Sequence, residues 1–283
     1  MRSSRRAGSV ALTKSVPKRC YVYNTVSFKI LRLLNRGRCE DILCDDWGVT
    51  TDAPSGLHAD LLEKLGRRIA DGQLAEGAVL RAEELVASFD VSRTVVREAV
   101  RVLESMGMVT SRRRVGVTVE PRGHWNVFDP LIIRWRLAGH DRDAQLRSLS
   151  ELRVGIEPAA ARYAAERATP QQCGAMTGAV MEMAVHGRSG DLHAYLAADI
   201  LFHRTLLDAS GNDMLRALAD VVAEVLTGRT LHGLMPTTPD PAAIRLHADV
   251  AQAVQARDAA AAHHAMTEII SEASEYMLLS SSH

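Results

Sequence analysis

The chain has 283 residues, enough for two domains with cores of their own. Lys plus Arg equals Asp plus Glu at 34 each, so any nucleic-acid or membrane surface must be local, not a property of the whole charge balance. Aromatic residues make up only 4% while Ala, Leu and Val abound, which favours helix, and no apolar run is long enough for a membrane span. Cys20, Cys39, Cys44 and Cys173 form no C-x-x-C pair, which argues against a zinc ribbon or a disulfide framework and makes a reducing cytoplasm the expected setting.

Residues 1–38 hold ten Lys or Arg and no acid. A nucleic-acid arm or a transit peptide could share this composition, but no apolar period organises it, and a disordered leader over 1–55 is the reading adopted. From Gly56 the pattern tightens: Leu57, Leu61, Leu65 and Ile69 form a helical stripe that ends near Gly72. Leu85, Val86 and Phe89 mark a second short helix, broken at Asp90. Ser92 then stands as an N-cap for a longer helix that buries Val96, Ala99, Leu103 and Met106 and turns Arg93, Arg97 and Arg101 to solvent. Met108–Thr110 and Val117–Val119 read as paired strands around Arg112, Arg113, Arg114 and Gly116, a hairpin tip loaded with positive charge. A capped basic helix beside a basic hairpin is the equipment of a winged helix-turn-helix, with the helix in the major groove and the wing on phosphate or in the minor groove.

This region, DVSRTVVREAV with LESMGMV and RRRVGVTV, resembles the winged-helix domain of GntR-family transcription regulators. The resemblance implies DNA contacts from Ser92, Arg93, Thr94 and Arg97 on the recognition helix and from Arg113 and Gly116 in the wing. Leu80–Leu85 is one residue shorter than the matching stretch of many members, so the contact some of them make from the second helix is not carried over; Arg81 stands nearest to it.

PRGHWNVFDP (121–130) is bracketed by prolines and reads as a linker pinned by Trp125 and Phe128, followed by a helix from Leu131 to Leu137 carrying Trp135. Helices are predicted near 143–167, 170–186, 190–210, 212–228, 241–257 and 258–280, an antiparallel bundle large enough to enclose a ligand. ELRVGIEPAAARYAAERA, ADILFHRTLLDASGN and RLHADVAQAVQARDAAAA are similar to the all-helical ligand domain of the FadR-type (FCD) branch of the same family. The linker resembles that of its galactonate-responsive repressors. The expected fold is therefore mainly α: leader 1–55, winged helix-turn-helix 56–120, linker and linker helix 121–142, and an effector-binding and dimerisation bundle 143–283.

Asp199 and His203 are four apart and share a helix face among apolar neighbours. A buried carboxylate beside an imidazole needs a partner, and a divalent metal such as zinc is one way to supply it. The resemblance makes these two residues metal ligands with His247 as the third. It places the fourth at Ile269, which cannot ligate, so water or an effector carboxylate would finish the shell. His263 and His264 lie roughly 120–140° around the helix from Ile269 and do not replace it. Hydrogen bonding of Asp199, His203 and His247 to sugar hydroxyls without metal, or a satisfied core pair, are the competing readings. Arg153 and Glu157, also four apart, could be an exposed salt bridge, but the resemblance points to Arg153 as the holder of the effector's carboxyl group. Asn212 suits a helix cap and, secondarily, the lining of the effector site; Arg229 is unassigned. Together these features predict a homodimeric repressor on double-stranded DNA with a pseudo-palindromic operator, controlled by a small carboxylate such as a sugar acid. A metal-dependent hydrolase using Asp199, His203 and His247 is the alternative.

Overall fold

The computed structural model describes residues 55–233, 236 and 238–280; of the segment read as a leader, only Ser55 falls within them. Helix α1 (Ser55–Ala70) buries Leu61, Leu65 and Ile69 as the stripe requires, whereas Leu57 in its first turn is 56% exposed among the described residues. Helix α2 (Ala82–Phe89) stops where Asp90 turns left-handed and its N–H returns to Val86 O. Helix α3 (Arg93–Ser105) follows, with Ser92 Oγ accepting from Val95 N at 3.3 Å, and it buries Val96, Ala99, Val100 and Leu103. The wing is the antiparallel pair β2 (Val109–Arg112) and β3 (Gly116–Val119), registered from Val109↔Val119 to Arg112↔Gly116. It therefore runs one residue later than expected at Met108 and takes in Arg112, leaving Arg113, Arg114 and Val115 as the turn. A third strand, β1 (Val79–Leu80), pairs with the other side of β3 to give the order β1-β3-β2.

Trp125 is buried, with its indole N–H donating to Glu120 O at 3.0 Å, and it pins the linker. Phe128 does not share that role, since half of it faces solvent. Helix α4 (Pro130–Ala138), capped by Asp129, divides its faces between two cores. Ile132 and Trp135 join the core of the winged domain, while Ile133 and Leu137 join Leu146, Leu149, Val221 and Val225. The Trp135 indole donates to Glu63 Oε2 on α1 at 2.7 Å and lies so close to Gly66 that a Cβ there would be 2.2 Å from the ring.

The remaining helices are α5 (Arg142–Arg167), α6 (Pro170–Ser189), α7 (Leu192–Ala209), α8 (Asp213–Arg216), α9 (Ala219–Leu231), α10 (Pro241–Gln255) and α11 (Ala259–Ser280). Small residues of α5 (Ala161, Ala164, Ala165) let neighbouring helices close over them with Phe202, Val250, Val254, Met266 and Ile270. The single helix expected over 212–228 is two. The Leu218 N–H bonds back to Leu215 O in a tightened turn, and the chain restarts as α9.

Candidate DNA-binding face and effector cavity

Ser92, Arg93, Thr94 and Arg97 are all exposed over the first turns of α3. Arg93 and Arg97 make only loose, solvated contacts, at 3.8 Å to Glu83 and 3.5 Å to Glu98, so both guanidinium groups can exchange partners. The wing is held beside this helix by Ser111 N donating to Glu104 Oε1 at 2.7 Å. At its tip Arg113 is exposed and Arg114 is left-handed (φ 69°). Gly116 has φ 119°, and a Cβ there would fall 2.9 Å from Leu80 O, so glycine lets β3 pass under β1 and keeps the basic turn in place.

In the helical domain, Asp199, His203 and His247 come together and are all buried. Asp199 Oδ1 lies 3.3 Å from Nε2 of each histidine, and the two Nε2 atoms are 3.4 Å apart. His247 Nδ1 is 2.7 Å from Ala243 O, which fixes the proton on Nδ1 and turns the Nε2 lone pair inward. His203 Nδ1 is 2.7 Å from Glu157 Oε2, close although off the N–H axis, so its Nε2 faces inward too. With His203 neutral, three electron-rich atoms converge, and a cation between them, a metal ion or a proton on His203 Nε2, relieves the repulsion. A tetrahedral ion about 2.0–2.1 Å from each donor spans donors about 3.3–3.4 Å apart, which is the spacing here. The donor set fits zinc, with one vertex open. Burial alone would raise the pKa of Asp199 and lower that of His203. Contacts between them, with His247 on one side and Glu157 on the other, reverse both effects, holding Asp199 well below the carboxylate range and raising His203.

Arg153 is not on the surface, so the exposed salt bridge does not apply. It is 2% exposed, and its Nε and Nη2 donate to the two oxygens of Glu157 at 2.6 and 3.2 Å. Burial would raise Glu157, but Arg153 and then His203 hold it down at about 2. The result is a chain, Arg153 to Glu157 to His203, that orients the metal-facing ring. Its bonded donors are therefore committed to the protein. Asn212 accepts from Met214 N and Leu215 N as the cap of α8 and does not line the cavity. His263 and His264 are exposed, and Ile269 is buried.

A cavity of about 190 Å³ abuts the cluster, with Asp199, His247 and Ile269 on its wall. Arg229, Tyr195 and Glu272 line it as well. No spacing or motif singles these three out in the sequence; they come from three helices, and only the closed bundle brings them together.

A basic helix with its wing, joined through a shared helix to a bundle enclosing a ligand-sized hollow, defines a DNA-binding transcription regulator. The profile for bacterial regulatory proteins of the gntR family matches residues 57–119, and that of the FCD domain matches residues 148–272. The chain belongs to the GntR family, in the branch that carries an FCD domain. It is 36% identical over 163 residues to the galactonate operon transcriptional repressor of Escherichia coli K12, covering 57% of this chain and 70% of that one. It is also 32% identical over 174 residues to the HTH-type regulator YieP of the same organism (61% and 76%), and 31% identical over 159 residues to LutR of Bacillus subtilis (56% and 70%). This is a family of regulators and not of enzymes, which sets the hydrolase alternative aside. No described helix is long and apolar enough to cross a membrane.

Proposed function

We propose that the protein is a homodimeric repressor whose hold on a pseudo-palindromic operator is controlled by a small carboxylate in the FCD cavity. Ser92, Arg93, Thr94 and Arg97 contact the major groove of each half-site, while Arg113 and the turn kept open by Gly116 hold the wing on the backbone. Asp199, His203 and His247 hold a divalent metal, zinc by donor set, which supplies an open Lewis-acidic position for an oxygen ligand. Arg153 acts through Glu157 as a positioning residue for His203. The observation that carries the reading is helix α4: its two faces belong to two cores, so a shift of the bundle around a ligand reaches the winged domain through one rigid element. Release follows if the ligand favours a conformer whose winged domains mismatch the half-site spacing. The galactonate link of one relative makes D-galactonate the first effector to try.

The test is a gel-shift titration of the zinc-loaded full chain on the promoter fragment beside its own gene and on random duplex. Preference for the promoter, relieved by D-galactonate or another small hydroxy acid, is expected. Arg97→Ala should cost about 1–3 kcal/mol of operator affinity with no change in melting temperature. Equal binding of promoter and random DNA by the unaltered protein would end this reading.

A further inference from the structure

The cavity contains a buried cation that makes no contact ion pair among the described residues. Arg229, on α9, is 9% exposed and lines the cavity, and its Nε–H has no hydrogen-bond partner. A guanidinium carries five N–H donors and no acceptor, and leaving one of them dry inside a protein is costly. Carboxylates are near: Asp199, Asp240 and Glu272 share the cavity wall. Asp199 and Glu272 attract Arg229 through space, but none of the three forms a contact ion pair with it. Asp199 is spent on the two histidines, and Asp240 accepts from Ala242 N as the cap of α10. Burial, with the charge of Arg153 added, lowers the Arg229 pKa to about 10 against the weaker pull of Asp199 and Glu157, so the group stays charged at neutral pH without a contact ion pair.

We infer that Arg229 is the anchor for the carboxylate of the ligand, and that the acidic wall formed by Asp240 and Glu272 selects monocarboxylates rich in hydroxyl or amino donors. This rests on the reading that the cavity takes a carboxylate effector, and goes further by naming the anchoring residue and the ligand class. An anion completes the donors of Arg229 without competing for a protein partner, whereas a neutral ligand cannot discharge the buried cation. Asp240 and Glu272, when ionised, only accept hydrogen bonds. They therefore favour ligand O–H or N–H groups and repel a second carboxylate. At about 190 Å³ the cavity lies below the range of drug-sized sites, which keeps the ligand to the size of a sugar acid or an amino acid.

The probes are D-galactonate (one carboxylate), galactarate (two) and galactitol (none), titrated by calorimetry into the zinc-loaded full chain and into Arg229→Gln and Arg229→Lys. Galactonate should bind the unaltered protein, galactarate at least about tenfold more weakly, and galactitol not measurably. Arg229→Gln should lose about ten- to a hundredfold in galactonate affinity, the range of a charge-assisted hydrogen bond, and Arg229→Lys should recover part of it. The ligand-free melting temperature, zinc content and operator affinity of Arg229→Gln should stay level or rise, because the substitution removes a buried charge that has no contact partner; a purely structural arginine would lower the melting temperature. Galactonate binding unchanged in Arg229→Gln would overturn the anchor while leaving the effector reading intact. Galactarate binding as tightly as galactonate would overturn the acidic selection. If none of galactonate, gluconate, lactate and serine binds the unaltered protein, the effector reading fails and this inference fails with it.

Discussion

The arginines of helix α3 and those of the helical domain use one side chain in opposite ways. Arg93, Arg97 and Arg101 keep 78%, 64% and 61% of their side chains in water, and their nearby glutamates are surface partners whose attraction is worth at most about 1 kcal/mol. Such a face is electrostatically available: a phosphate can replace Glu83 or Glu98 at little cost. Arg153 is sealed at 2% exposure, with both Glu157 oxygens satisfied, and there the partner is part of the fold. In the first region the arginines wait for something outside the protein. In the second they organise its interior, apart from Arg229, whose Nε–H is left unanswered.

The sharpest way to break this contrast is Arg153→Met. It keeps an apolar stem but leaves the Glu157 charge buried and uncompensated beneath His203, and about 3–5 kcal/mol of stability should be lost in urea denaturation at pH 7. Glu157 is held at about 2 against an ordinary 4.5, so its contribution is complete above pH 4.5 and fades as pH falls toward 2. The variant should protonate Glu157 at higher pH and thereby escape the buried charge. The gap between the two proteins should thus narrow in acid. A gap that is small at pH 7 or unchanged at pH 3 would mean that the ion pair is not what holds this part of the bundle.

Gly66→Ala tests the contact through which the two regions meet. A methyl group there would sit 2.2–2.4 Å from three ring carbons of Trp135, so α1 and α4 must separate or the indole must leave Glu63. An overpacking cost of about 1–3 kcal/mol is expected in thermal melts, together with a weaker effector response in operator titrations. Gly228, on α9, faces the flexible end of Leu137 at 2.7 Å and should tolerate the same change better. Equal melting temperatures for Gly66→Ala and the parent would show that the helix contact is loose.

The two regions also differ in how much of them could be read from the chain. Helix α3 announced itself locally: Ser92 as cap, an apolar stripe every three or four residues, and arginines on the face left over. The wing was legible from β-branched residues on either side of a turn ending in Gly116. Strand β1 was not, because two residues show no alternation and Val79 with Leu80 acquires its identity only by pairing with β3. In the helical domain, Asp199 and His203 were visible as a pair through helical spacing, but their convergence with His247, forty-four residues away, is a tertiary fact. Arg153 and Glu157 show the limit most clearly. Spacing of four says that two side chains share a face and is silent on whether that face is wet or dry. Arg229 lies in a helix with no motif, and the break before that helix at Ala217–Leu218 carries neither glycine nor proline to mark it.

The smallest effect belongs to the wing. Arg113 is exposed at the turn and has no described ion pair to break, so Arg113→Ala should leave the stability within about 0.5 kcal/mol of the parent's in urea denaturation. Its loss should appear instead in the salt dependence of operator binding. A side chain that neutralises one phosphate releases the counterions condensed there, so removing it should flatten the plot of log affinity against log salt by about one unit of slope. Because phosphate is the same under every base pair, the loss should be nearly equal on the operator and on random duplex, unlike that of Arg97→Ala, which should fall mainly on the operator. A sequence-dependent loss at Arg113 with an unchanged slope would instead put that side chain against a base edge, and the wing would then be reading sequence in addition to gripping the backbone.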